Sequence, residues 1–502
     1  MTMSNIDKKD QKLHTNYAMH FPRLIPALIP GFENIRRRIN PKTNYEKEYE
    51  DCLEYINSYW KRIIREPAKQ KINNNFLDIP HHFITPNDKK FSYIFYWDSF
   101  FIFRGLMGTK KEWIMKEMVE NFTYLFDKYG IIPNFNSHAS AGRSQPPFLS
   151  SMILDVYKTF NNGNHSRSKM RAVGDLILKP ASTFGHLKWL KDKMEIARKE
   201  YDHVWNNSDL YNHLIDKYQL NRYGDRDVGY AHSSELESGW DFTSRFYNRC
   251  NEFLPIDLNC YLYKYEKDFE TTAVISGDKK EELFWAEKAN KRKKTINKFM
   301  WSEDEGFYFD YGYAHKRQSD FLSLAGFVPM WAGIATFDQA KRMVRKLPEF
   351  ETEFGLTITA QRSLAPNVSL SRIPLRYRPA IREVIKPKQW DYPNIWPPLE
   401  YLTVVGLLRY GFIEDAKRIM LSSLNAHAQI FRSYGTFFER IDGKKGDKPT
   451  IDYHYSIQSG FGWTNAVFFR YIKILQAIEN GENIYVFGET QKKPPYELAI
   501  IH

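Results

Sequence analysis

Residues 389–399 read Gln389-Trp390-Asp391-Tyr392-Pro393-Asn394-Ile395-Trp396-Pro397-Pro398-Leu399, with three prolines interleaved among two tryptophans, a tyrosine, a glutamine and an aspartate. Proline fixes φ and removes a backbone donor, so the segment suits neither a helix interior nor a central strand. It reads as a rigid loop that sets aromatic faces beside hydrogen-bonding tips. A pyranose has apolar C–H faces and a rim of hydroxyls, and such a wall suits it. Taken alone, the segment reads better as a buried structural loop. Its surroundings change that reading.

Working outward, apolar residues recur near helical spacing over 45–65, 110–129, 187–205, 210–217, 254–300, 321–347, 401–424 and 463–478. Loops rich in Pro and Gly lie between them and hold nearly all the other polar-aromatic clusters. These are FYWDSFF at 95–101, IIPNFNSHASAGRSQPPF at 131–148, ELESGWDFTSRF at 235–246, FFERID at 437–442 and SIQSGFGWTNAV at 456–467. Helix pairs joined by such loops predict an all-α toroid with its site at one rim. Strand-like alternation is rare and no βαβ rhythm occurs, which argues against a TIM barrel or a Rossmann domain. The pattern divides the chain into an extended arm over 1–45, a helical domain over 46–485 and a tail over 486–502.

The chain has 502 residues, 42% of them hydrophobic, with 36 Phe, 32 Tyr and 12 Trp; a large core accounts for most of these rings. Its formal charge of +12 would allow a protein that docks on anionic surfaces, a reading that predicts steep salt dependence. The basic residues are scattered, however, and the densest run, at 288–294, lies on a predicted helix face. No nucleic-acid-binding signature occurs, so no nucleic-acid partner is expected. Cys52, Cys250 and Cys260 have neither CxxC nor CxxxH spacing, which points to a reducing compartment. No apolar leader precedes residue 22 and no run approaches 18 apolar residues, so a soluble, cytoplasmic protein without a membrane span is expected. Phosphate loops, HExxH, EF-hand and GxSxG patterns are absent, and His81 and His82 are adjacent; neither a metal nor a cofactor is expected.

Two carboxylates stand out. Asp241, in ESGWDF, follows Gly239 and lies between Trp240 and Phe242, surroundings that would desolvate it, raise its pKa and suit it as a general acid. A helix N-cap explains Asp241 equally well. Glu439, in FFER, is by itself a surface glutamate at the start of a turn, yet two carboxylates in aromatic loops are what glycoside hydrolysis requires. Arg143 beside Pro146 and Pro147, with Asn134 and Asp98 in comparable settings, could bind sugar hydroxyls or serve as buried hydrogen-bonding groups.

Together these segments resemble the trehalases of glycoside hydrolase family 37, in order, over roughly residues 85–475. QWDYPNIWPP resembles the family's QWDxPNxWPP signature. YWDSFF, IPN with RSQPPF, ESGWDF, FFER and QSGFGWTNAV fall in the expected order. The resemblance implies a single (α/α)6 barrel and inverting hydrolysis of trehalose, with Asp241 as acid and Glu439 as base. It implies that Phe91, Trp97, Asp98, Asn134, Arg143, Gln145, Gly239 and Trp390 cradle the glucose under attack.

The departures cluster. The family's PGGRF turn reads Asn87-Asp88-Lys89-Lys90-Phe91, placing Lys90 where an arginine stands, and its EYPLQ segment reads His454-Tyr455-Ser456-Ile457-Gln458, placing His454 where a glutamate stands. Arg222-Tyr223-Gly224-Asp225 is only a loose counterpart of its RPES segment. In that family these segments surround the leaving-group sugar. The substituted residues therefore imply either trehalose with compensating loops or an acidic or phosphorylated leaving group, as in glucosylglycerate. A catalytically weak sugar-binding descendant is the other alternative, and retention of both carboxylates argues against it. Oligomeric state is not legible.

Overall fold

Cys52, Ile56, Tyr59, Trp60 and Ile63 recur three and four residues apart, so α1 (Glu50–Ile63) buries one stripe and leaves the rest to solvent. Glu50 and Asp51 open it and Lys61 and Arg62 close it, each complementing the helix dipole. The next long helix, α2 (Tyr96–Leu106), is buried on every face. This alternation of a striped helix with an enclosed one continues along the chain in a computed structural model that describes residues 43–67, 75–162, 182–208, 212–224, 231–364, 387–449 and 455–482. The arm up to residue 42 and the tail from residue 483 lie outside the described residues.

The striped helices are α3 (Trp113–Tyr129), α5 (Ser182–Glu200), α7 (Lys279–Met300), α9 (Phe337–Val344) and α11 (Ile413–Tyr434). The enclosed ones are α4 (Leu149–Asn162), α6 (Ile256–Ser276), α8 (Val328–Ala332), α10 (Pro397–Arg409) and α12 (Gly462–Asn480). Each enclosed helix touches the next, α2 to α4, α6, α8, α10 and α12, and α12 returns to α2. Six inner helices thus close a ring, and the outer helices lie against it: α3 on α4, α7 on α6, α11 on α10 and α12. This is the (α/α)6 toroid. Ring closure depends on close approach at one seam, where a Cβ on Gly105 of α2 would stand 2.6 Å from the Ala466 Cα of α12.

Because the chain alternates outer and inner, each connection that leaves an outer helix leads into the N-terminus of an inner one. These connections gather at one rim, where the inner-helix dipoles present their positive ends. Short strand pairs tie them together. Asn394–Ile395 pairs with Ile441–Asp442, and single bridges join Phe95 to Phe135 and Phe438 to Ser459. No helix among the described residues is long and apolar enough to cross a membrane.

Several expected helices are divided or absent. The span 254–300 breaks at Gly277-Asp278, where the Asp278 side chain caps α7 by accepting from the Glu281 N–H at 3.1 Å. The span 401–424 breaks over 410–412, and 321–347 contains only the short α8 and α9. Apolar spacing continued across each turn, because both helices face the same core. Of the span 210–217, residues 210 and 211 lie outside the described residues, and Leu214–Ile215 form a strand paired to Leu220–Asn221. FYWDSFF, expected in a loop, begins α2. A helix buried on all sides has no polar face, so it lacks the periodicity that reveals the others.

Candidate active site

The rim loops converge on a cluster of rings. Trp390 stacks on Trp396 with centroids 3.8 Å apart and planes 6° from parallel, and it meets Trp240 at 5.5 Å and Trp97 at 5.7 Å. Asp391 anchors the Trp390 loop to the loop of Asp241, accepting from the Ser244 N–H at 2.9 Å and the Ser244 hydroxyl at 2.6 Å. The Trp390 N–H donates to the Phe242 carbonyl at 3.3 Å. Gly239 takes φ +73°, and a Cβ there would fall 2.7 Å from the Trp97 ring. We expect Gly239→Ala to cost about 1–3 kcal/mol in chemical denaturation, from left-handed strain and displacement of Trp97. It should also lower any glycosidase activity, because Trp97 would no longer meet Trp390.

Asp241 is half-buried and its carboxyl pKa is pushed up to about 7, mainly by loss of water. The positive charge of Arg143 opposes this rise, and the negative charges of Glu235 and Glu439 add to it. Asp241 and Glu439, 198 positions apart in the chain, therefore lie close enough for their charges to act on each other. Asp98, in the first turn of α2, is driven well above the usual carboxylate range by burial and by the charges of Glu439 and Asp241.

Glu439 is buried, which also raises its pKa, but it is held differently. The Tyr455 hydroxyl donates to its Oε1 at 2.8 Å and Arg440 Nη1 to its Oε2 at 2.6 Å. The Arg440 and Lys90 charges and the Tyr455 bond all favour the carboxylate form. Lys90 is exposed, with Nζ 4.7 Å from the centre of the Tyr455 ring, and Phe91 meets that ring edge to face at 5.7 Å. Their turn is built by Asn87, whose Oδ1 accepts the N–H groups of Lys90 and Phe91 at 3.0 Å each. Asparagine thus supplies by hydrogen bonding the turn that a Pro-Gly pair would supply by backbone preference.

Two other candidates act on the protein itself in this state. The Gln145 side chain accepts from the Trp97 N–H at 3.1 Å, satisfying one of the open donors at the start of α2. Asn134 ties three loops together: its N–H donates to the Arg143 carbonyl at 3.0 Å, its carbonyl accepts from the Tyr96 N–H at 3.0 Å, and its side chain donates to the Leu236 carbonyl at 3.2 Å. Arg222 spends its guanidinium on the carbonyls of Asn212 and Asn251, both at 2.8 Å. His454 lies outside the described residues, as does Asp225.

Sequence reasoning passed over the groups that hold this site. Arg440 adjoins Glu439 and was legible as its partner; Tyr455 lies 16 residues away, where no local pattern points to it. Glu237 carried no signal either. It is fully buried and accepts from the Ser144 N–H at 2.9 Å, the Gly224 N–H at 2.7 Å and the ring of His213 at 2.8 Å. One carboxylate thereby fixes the loop of Arg143 against the loop of Asp241.

The model of the trehalase family matches residues 32–476. The chain belongs to the trehalase family. Among solved structures it is similar to the neutral trehalase Nth1 of Saccharomyces cerevisiae, with 28% identity over 78% of this chain and 73% of that one, at a TM-score of 0.62. A mannosylglycerate hydrolase of glycoside hydrolase family 63 from Thermus thermophilus, solved with glucose, shares the toroid at 15% identity and a TM-score of 0.58, over 84% of this chain and 99% of that one. The protein is a glycoside hydrolase whose substrate is a carbohydrate.

Proposed function

We propose that this trehalase-family enzyme hydrolyses trehalose with inversion, Asp241 acting as acid and Glu439 as base. One observation carries the reading: two carboxyls that act on each other are held differently. Asp241, with a pKa near 7, keeps a proton to give; Glu439, clamped by Tyr455 and Arg440, is the one favoured as an anion. Asp241 passes its proton to the glycosidic oxygen as the bond from that oxygen to the anomeric carbon breaks. Water attacks the same carbon from the opposite face and gives up its proton to Glu439. Trp97, Trp390 and Phe91 would face the ring carbons of the glucose under attack, and Arg143 and Asp98 its hydroxyls. The likeness to a protein named as a neutral trehalase supports trehalose as the substrate.

A second reading keeps the reaction and changes the leaving group. Lys90 places a mobile positive charge at the rim beside Tyr455, where a carboxylate or phosphate on the departing group would meet it. The deciding experiment is glucose release from trehalose, trehalose phosphate, glucosylglycerate, kojibiose, nigerose and maltose, followed by NMR in the first minutes. Trehalose cleaved to equal amounts of α- and β-glucose is the expected result. Only α-glucose would mean retention, and faster turnover of an acidic substrate would favour the second reading.

The pH profile of kcat/KM follows from the same site. Its alkaline limb should fall near pH 7, where Asp241 loses the proton it must donate. Arg143 lowers that pKa, so Arg143→Met should move the limb to higher pH while lowering the whole curve through lost binding. A limb that stays put or moves down would remove Asp241 from the acid role.

A further inference from the structure

The inner ring holds a cavity at the end away from the candidate site loops. It is small and partly open to solvent, and residues of α2, α4, α6, α8 and α10 line it. An aromatic layer separates it from the rim: Phe100 and Phe148 stack at 4.2 Å, Trp331 packs on both, and Phe101 links the layer to Trp97. Four cationic side chains, Arg104, Lys158, Lys264 and Arg409, line the cavity with two carboxylates, Asp155 and Asp268. Arg104 pairs with Asp155 and Lys264 with Asp268. With four cations to two carboxylates the lining is net positive; Arg409 also donates from Nη1 to the Trp331 carbonyl at 3.2 Å, and Arg470 lies just behind the wall, where its Nε donates to the Arg104 carbonyl at 2.9 Å.

We propose that this chamber is a binding site for a small tetrahedral oxyanion, either inorganic phosphate or the phosphate group of a metabolite. The geometry suits one. Convergent ammonium and guanidinium donors form the strongest hydrogen bonds to phosphate oxygens, and a walled cavity screens them little. Burial pushes the Lys158 pKa down to about 8; Asp155 and Asp268 oppose the fall, and Lys264 and Arg104 add to it. Cations near helix C-termini also complement the dipoles of α2, α4 and α10, and that role needs no ligand. Dipoles alone do not require four heads to converge on one cavity when solvent lies beside each helix end.

The test is equilibrium dialysis of the full chain against radiolabelled inorganic phosphate, and separately glucose 6-phosphate, with chloride fixing the ionic strength. Saturable binding of one inorganic phosphate per chain, undisturbed by saturating glucose, is expected. The variant Lys158→Met/Arg409→Met should weaken it at least about tenfold, one lost charge-assisted bond being worth that much, while glucose release persists. Binding of glucose 6-phosphate alone would assign the phosphate to a metabolite. Absence of saturable binding to the native chain overturns the proposal. So does displacement by glucose, which would place the anion among the catalytic loops. Should the double variant not fold, Arg409→Gln alone provides the comparison, and affinity unchanged in a folded variant places the anion elsewhere.

Discussion

Asp241→Asn should lower glucose release from trehalose by roughly a hundredfold to ten-thousandfold, the usual contribution of a positioned proton donor, and leave the fold intact. Two further measurements distinguish this loss from general damage. A glucosyl fluoride of the scissile configuration has a leaving group that departs without a proton. Asp241→Asn should therefore retain far more activity on it than on trehalose, whereas Glu439→Gln, lacking the base that activates water, should fail on both. The second measurement is stability. Burial lifts the Asp241 pKa from the usual carboxylate range to about 7, so between those limits the folded protein binds a proton that the unfolded chain releases. Stability from this group is full in acid and is lost as pH rises through 7. Asn carries no such penalty, so the variant should unfold at a higher temperature than the parent at about pH 8, the gap closing towards about pH 4. Equal losses on both substrates, or a variant less stable on the alkaline side, would take the acid role from Asp241.

Arg245→Met should destabilise the protein by about 3–5 kcal/mol, the cost of leaving buried charge without its partner. Arg245 has no exposed side-chain surface. It bonds Asp257 through Nη1 and Nη2 at 2.8 and 2.9 Å, and Asp310 through Nε and Nη2 at 2.8 and 2.7 Å. Its guanidinium also lies 4.5 Å from the centre of the Trp240 ring. It stands four residues after Asp241, while Asp257 is in the first turn of α6 and Asp310 accepts from the Ile256 N–H that opens that helix. This cluster fastens the loop of the candidate acid to the inner ring. Urea denaturation measures the loss, and adding Asp257→Asn to the Arg245→Met background should recover part of it by removing one unpaired charge. A change below about 1 kcal/mol would show that the cluster contributes little net stability. Activity is expected to fall further than unfolding explains, because Trp240 and the Asp241 backbone lose their anchor.

Amphipathic outer helices were legible because each has a polar face to set against its stripe; α1 and α11 follow the apolar spacing of their residues. The inner helices were legible mainly through the motifs at their N-termini. YWDSFF looked like a loop because every residue of α2 is enclosed. The division at 410–412 escaped notice because α10 and α11 bury residues in the same core across a turn of three residues. At the site, Asp241, Glu439 and the tryptophans of residues 389–399 stood out by local composition, which marks chemistry well when rings and carboxylates are neighbours in the chain.

By itself, then, the sequence determined the helical character of the protein, the trehalase resemblance and the short segments that carry its candidate chemistry. Only the tertiary structure decided that burial raises the pKa of both carboxyls and that Tyr455 and Arg440 bond Glu439. Asp241 owes its raised pKa to burial tempered by Arg143, and Glu439 owes its anchoring to a tyrosine on another part of the rim. Glu237 joins two site loops through bonds to Ser144 and Gly224, and four cations from α2, α4, α6 and α10 meet in one lower cavity. Desolvation and Coulomb coupling depend on distance in space, and closure of a ring of helices brings together residues that are hundreds of positions apart in the chain.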